Sequence, residues 1–295
     1  MTSVNTTTDN AARENAGAPG AAVESTTPVF VPRRERPRSG PTLATRIFAP
    51  AAALALVLIV WHLASTFGGM GDSVLPSPAR VLEMGWKDRD NIMEATGATL
   101  QITLWGLLVA VTVAVVTASL LSFIVPLRLT VLPLLIGAQS VPIIVLAPLF
   151  VIWFGFGSGP KIAIVAIVSM LPMAIATLQG LQSVDPDADT LLRSMGASRW
   201  KIFLRLRVPT ALPFFITGLR IMSSFVVVSA IFSEYVGARV GLGIYMQTQK
   251  NLFRTDLVFA AVFVSIAIGL ALFVMTYVIE ALAMPWERRR KAAQR

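Results

Sequence analysis

Few side chains in this sequence could do chemistry, and none sits in a pattern that hydrolysis or redox catalysis requires. The 295 residues include no Cys and one histidine, His62. Without Cys there is no thiol nucleophile, disulfide framework or thiolate metal site. His62 stands beside Trp61 in an apolar run, with no second His or carboxylate one helical turn away, so it reads as an interfacial or packed side chain and not as a metal ligand. There is no HExxH and no pair of carboxylates within an apolar run, and one imidazole cannot serve a metal and a base together. Gly241-Leu242-Gly243 lacks the preceding strand and the following lysine of a phosphate-binding loop. No catalytic residue, cofactor site or metal site is assigned.

A charge inside an apolar run is the other feature with chemical meaning. Arg220 lies near the middle of one, where insertion costs ~2.5 to 3.5 kcal/mol, and each neighbouring Phe, Ile, Leu or Val returns roughly 0.3 to 0.6. The segment still inserts, but Arg220 must face protein or water. It could attract an anionic substrate or serve a structural or gating role. Glu234 lies ~21 Å further along a straight helix, so the two cannot pair within it. Gln139, Ser140, Pro142, Trp153, Ser169, Ser229 and Glu234 join Arg220 as candidates to line a path, although any of them also suits interhelical bonding or packing. Glu234, Asp256 and Glu280 sit near the ends of apolar runs, and no inverted repeat is apparent. An ion-coupled secondary transporter, which needs acid groups near midplane, is therefore the alternative class.

The elements that must position these residues are membrane helices. Apolar residues make up 55% of the chain and charged residues only 14%. Six apolar runs, 47–67, 97–124, 129–154, 160–181, 211–233 and 257–283, each reach the ~20 residues that cross a bilayer as a helix. They are continuous and not alternating, which favours helices over barrel strands. The expected fold is thus an all-α integral membrane bundle of six transmembrane helices spanning 46–284. Residues 1–45, rich in Thr, Ala, Pro, Gly and Arg, read as a disordered cytoplasmic tail, and 285–295 as a basic one. A cleaved secretory signal is disfavoured because the first apolar run starts late and is long enough to span. In the second run Gly106, Ala110, Ala114, Ala118 and Ser122 recur every fourth residue, a small-residue face that admits another backbone. Pro133, Pro142 and Pro148 interrupt the third run and Pro172 the fourth, predicting kinks.

The net charge of +9 follows topology and not nucleic acid, because Lys and Arg gather at the ends of apolar runs. With both termini cytoplasmic, most of them, including Arg46, Arg128, Arg193, Arg199, Lys201, Arg205 and Arg207, face the cytoplasm, as the positive-inside rule expects. Segments 68–96 and 234–256 are then external. The latter either makes a tight turn at Gly237, Gly241 and Gly243 or dips into the membrane.

One polar stretch, 183–209, interrupts the pattern and reads as a helical hairpin. Asp185 is an N-cap, Pro186 suits the first helical position, and Asp187 and Asp189 lie at the positive end of the helix dipole. Gly196 ends this helix, Ser198 caps a second bearing Arg199, Lys201, Arg205 and Arg207, and Pro209 is expected to stop it. Such a hairpin could rest on lipid headgroups or dock another protein.

Here the sequence resembles the EAA loop of binding-protein-dependent ABC transport permeases. Gly196 occupies the glycine position, Leu206 the hydrophobic position and Val208-Pro209 the final pair, while Thr190-Leu191-Leu192 stands where Glu-Ala-Ala is expected. LPSPARV from Leu75, TLQITLWG from Thr99, QSVPIIVLAPLFVIWFGFG from Gln139, VPTALPFFITGLRI from Val208 and SEYVGARVGLG from Ser233 are similar to the branch for nitrate, sulfonates, taurine and thiamine precursors. The resemblance implies a type I importer permease in the cell membrane, multi-pass and without activity of its own. It further implies a second permease subunit, here a homodimer, an extracytoplasmic substrate-binding protein and a cytoplasmic ATPase dimer holding ATP and Mg. No Walker A sequence is present, so ATP must be hydrolysed elsewhere. Asp185, Thr190, Arg193, Gly196, Ala197, Ser198, Arg199 and Trp200 are the expected ATPase-coupling residues. EYVGARVGLGIYMQTQ and the final MPW lean toward thiamine precursors or flavin-like heterocycles over nitrate, sulfonate or taurine.

Overall fold

The computed structural model describes residues 43–69 and 71–284. Of the tails expected at 1–45 and 285–295, residues 1–42 and 285–295 lie outside them. The chain divides after Ala51. The first unit contributes the opening turns of α1 (Leu43–Phe67), which starts three residues before the expected boundary at 46, and all other elements belong to the second.

Every regular element among the described residues is helical. After α1 come α2 (Pro78–Lys87), α3 (Arg89–Phe123), α4 (Val125–Ala138), α5 (Ile143–Phe154), α6 (Ser158–Gln182), α7 (Pro186–Ser194) and α8 (Arg199–Ile202). A π-turn (Phe203–Arg207) then leads into α9 (Val208–Glu234), followed by α10 (Leu242–Asn251) and α11 (Thr255–Ala283). Four helical stretches, Arg89–Phe123, Ser158–Gln182, Arg199–Glu234 and Thr255–Ala283, are long and apolar enough to cross a membrane. They correspond to the second, fourth, fifth and sixth expected runs.

Of the other two runs, one differs from expectation. The third is not one kinked helix: α4 and α5 meet at 106°, a broken span or a re-entrant loop. The cause lies in residues 139–142, where the Ser140 N–H donates to the Gly137 carbonyl at 3.0 Å and the Val141 N–H to Ala138 at 3.2 Å, tightening the turn. Pro142 then has no N–H to continue a helix and takes an extended backbone. The first, 47–67, falls within the single helix α1. Its Trp61 stacks on Phe259 and Phe263 of α11 at 5.5 and 5.6 Å and donates its indole N–H to the Pro76 carbonyl at 3.1 Å.

Helix α6 is central, packed between α3 and α9. The small-residue face of α3 is buried as expected, and at Gly106 a side chain would strike Val165 of α6. On the other side Gly180 of α6 lies against Ala211 and Phe214 of α9, too close for a Cβ. Ala110, Ala114, Ala166, Met173, Ala174, Leu219 and Met222 from these three helices form one core cluster. Because lipid is as apolar as these side chains, close van der Waals packing holds the seam and not expulsion from water. The large apolar residues left outside, such as Val57, Ile59, Ile152 and Leu270, suit a hydrocarbon solvent.

Candidate functional site

Polar side chains with defined geometry collect at the two ends of the bundle and at one level between them. At the first end, α7 and α8 form the expected hairpin. The Asp185 carboxylate accepts from the Asp187 N–H at 2.9 Å, and Pro186 opens the helix. The helix closes on Gly196 at φ +77°, with the Gly196 N–H donating to Arg193 O at 2.9 Å and the Ala197 N–H to Leu192 O at 3.0 Å. This double bond pattern is a Schellman closure, which a left-handed glycine makes at little steric cost. The Ser198 hydroxyl then accepts from the Lys201 N–H at 3.3 Å.

Trp200 stacks on Phe203 at 5.4 Å and Phe123 at 6.2 Å, seating α8 on the end of α3. Thr190 turns its hydroxyl back onto the Pro186 carbonyl at 2.9 Å. The Arg193 guanidinium donates to Asp189 at 2.6 Å, and that bond above all holds the Asp189 carboxyl below the usual carboxylate range. No side chain of α7 is fully buried, and Leu191 and Met195 point outward, 62% and 74% exposed. Arg199 is exposed and Ala197 half-buried.

Pro209 does not stop the second helix. The chain passes from α8 through the π-turn into α9, with the Val208 N–H reaching back to Phe203 O. The widened turn just before Pro209 relieves the clash that its ring would make inside a regular α-helix. The helical run Arg199–Glu234 is thus continuous.

At the opposite end, segment 235–254 is not a simple turn, because it contains α10. Glu234, fully buried, accepts from the Gly243 N–H at 2.7 Å, and the Leu242 N–H donates to the Thr99 hydroxyl of α3 at 2.8 Å. These bonds fix the first turn of α10, whose free amides would otherwise need partners. The Tyr245 hydroxyl donates to Asp88 at 2.5 Å, and burial followed by that carboxylate pushes the phenol well above its ordinary range. Arg80 pairs with Asp72 at 2.5 Å and with Asp256 at 3.5 Å. Lys161, buried at the start of α6, has no ion pair within 4 Å among the described residues.

Of the eight residues expected to line a path, the structure brings some together and leaves others apart. Ser169 of α6 and Ser229 of α9 meet at 3.4 Å in the buried seam. Gln139, Ser140 and Pro142 are exposed at the break between α4 and α5, and Gln139 borders a groove of about 270 Å³ shared with Pro172 and Phe225. Trp153 is exposed on α5, edge-on to Phe154. Arg220 pairs with Glu280 of α11 and lies 4.1 Å from the Tyr277 ring centroid, while Glu234 is engaged by α10. Among the polar contacts not foreseen are Arg220–Glu280, Thr99–Leu242, Asp88–Tyr245 and Arg207–Asp189, the last at 3.4 Å. They join residues 18 to 157 positions apart, and no local pattern signals them.

Residues 106–284 match the family described as binding-protein-dependent transport system inner membrane component. The chain is 30% identical to the formylaminopyrimidine transport permease protein ThiX of Halalkalibacterium halodurans over 82% of its own length and 96% of that protein's. It is 31% identical to the riboflavin transport system permease protein RibX of Chloroflexus aurantiacus, covering 79% and 88%. The bundle superposes with a TM-score of 0.52 at 16% identity on a chain of a bacterial alginate ABC transporter in complex with an alginate pentasaccharide-bound periplasmic protein, covering 84% of this chain and 97% of that one.

Proposed function

The chain belongs to the family of binding-protein-dependent transport system inner membrane components, the permease subunits of ABC importers, and from that premise we propose how it works. Two copies form the pathway as a homodimer, an extracytoplasmic binding protein delivers the solute, and a dimer of cytoplasmic ATPases binds ATP and Mg and docks on the α7–α8 hairpins. Both termini are cytoplasmic.

The observation that carries this reading is the hairpin itself. It is a capped, Schellman-closed knob at one end of the bundle, seated on α3 by Trp200, with Leu191 and Met195 presented outward as apolar anchors. Exposed apolar side chains on a rigid helix suit a groove on a partner protein. A hairpin that merely rested on lipid would need no such closure.

For the solute, the similarity to permeases named for a formylaminopyrimidine and for riboflavin supports a thiamine-precursor or flavin-like heterocycle. Nitrate, sulfonate and taurine are the alternatives. The test is co-purification in mild detergent followed by mass spectrometry. An ATPase and a binding protein are expected with this chain, and in liposomes the chain alone should neither hydrolyse ATP nor take up solute on a proton or sodium gradient. Ion-driven uptake by the chain alone would replace this reading with the secondary-transporter one.

A further inference from the structure

Helix α7 has a weak hold on the rest of the bundle. None of its side chains is fully buried, and its inner face offers only the half-buried Ala188, Asp189 and Leu192. Across from that face, the π-turn at the root of α9 extends Arg207, whose guanidinium donates to Asp189 Oδ1 at 3.4 Å. Both side chains are mostly covered, at 25% and 20% exposure. Asp189 holds Arg193 of its own helix with its other oxygen, so the carboxylate bridges α7 and the π-turn.

We propose that Asp189 is a positioning residue: with Arg207 it straps α7 to the root of α9, so that the hairpin and the fifth span move as one body. Resting on the ATPase-docking role proposed above, this strap carries displacement of the hairpin into the bundle. Thr190, at the position where the resembled loop has glutamate, is bonded to its own helix and cannot serve this way. The acid one residue earlier points inward and does.

The chain has no cysteine, so two can be placed cleanly, at Ser194→Cys on α7 and Thr217→Cys on α9, for nitroxide labelling and pulsed electron spin distance measurement in nanodiscs. The parent should give one narrow distance. Asp189→Asn and Arg207→Gln should each broaden it, the double variant no further than either alone, and Arg207→Lys should restore the narrow distance. Arg205→Gln, which removes an exposed charge from the same turn, should leave it narrow.

In the complex with its ATPase, the two single variants should still co-purify yet hydrolyse ATP about fivefold more slowly, the scale on which losing a partly exposed ion pair shifts a two-state population. Narrow distances in both single variants would overturn the strap. Broadening in Asp189→Asn but not in Arg207→Gln would overturn it too, tracing the effect to Arg193. Because the distances are read on this chain alone, failure of any ATPase to bind the parent would count against the docking role and leave the strap measurable.

Discussion

Arg220 of α9 and Glu280 of α11, 60 positions apart, meet as an ion pair in the last turn of α11, with the Arg220 guanidinium over the face of Tyr277. The pair and the ring answer how a charge is tolerated in the fifth apolar run. Each side chain remains about a quarter exposed, 27% and 26%. The contact also ties α9 to α11 near the hairpin end.

Removing Arg220 takes one charged partner from Glu280. Arg220→Met should destabilise the detergent-solubilised chain by about 1 to 3 kcal/mol, less than for a fully buried pair because water still reaches the site. Arg220→Met combined with Glu280→Leu should be less damaging than Arg220→Met alone. Thermal denaturation of these two variants and of Glu280→Leu alone, followed by size-exclusion profile, decides it. Additive losses would mean that the two charges act independently.

At the far end, the prediction concerns Gly241 and Glu234. Gly241 has φ +147°, and a Cβ there would run into the buried Glu234 carboxylate. Gly241→Ala should therefore combine backbone strain with overpacking, about 1 to 3 kcal/mol, and loosen the first turn of α10. Met246→Cys, buried in the intact protein, reports this directly. Maleimide should label it slowly in the parent and quickly beside Gly241→Ala.

In the hairpin, open space surrounds Gly196, so its left-handed backbone and not its size is the constraint. Gly196→Val should cost about 1 to 2 kcal/mol locally and reorient the knob. Membrane insertion should be normal, because the site lies outside the apolar spans, while recovery of the ATPase should fall. Thr190→Ala removes one bond to its own helix and should change stability by no more than about 0.5 kcal/mol and leave ATPase recovery intact. Quantitative co-purification normalised to expression measures both.

The proposed orientation is tested by single cysteines in the cysteine-free chain. Asp90→Cys, at the start of α3, should react with an impermeant reagent added outside intact cells. Ser198→Cys should react only after permeabilisation, and external labelling of it would invert the topology.

Much of this architecture was legible in the sequence because hydropathy, caps and small-residue spacing are local signals. The spans around α6, α9 and α11 fell within three residues of expectation, Asp185 and Ser198 capped the helices assigned to them, and the Gly106–Ser122 face became the α3–α6 seam. The start of α3 was missed by eight residues, since its first turns are polar and extend beyond the apolar run. The 106° break was invisible to hydropathy, which counts apolar residues and not backbone direction, although Pro142 marked its place. Helix α2 had a readable signal in Ser77 followed by Pro78, a cap and a first-position proline. Arg220–Glu280 and Glu234–Gly243 had none, because they arise only when separate helices pack. Pro209 misled because the preceding π-turn absorbs what a proline would otherwise break.

That π-turn also decides where the chain can change in length. A turn of this kind holds one residue more than a regular helix needs, so deleting Leu204 can be absorbed by tightening 203–207 to an α-helical turn with the faces on both sides left in phase. The same deletion at Phe215 has no slack to draw on and would rotate the remainder of α9 by about 100° relative to α10 and α11. Arg220 would swing away from Glu280, and Glu234 from the amide of Gly243. Single-residue gaps among natural variants of this sequence should therefore collect in 203–207 and avoid the rest of the fifth span.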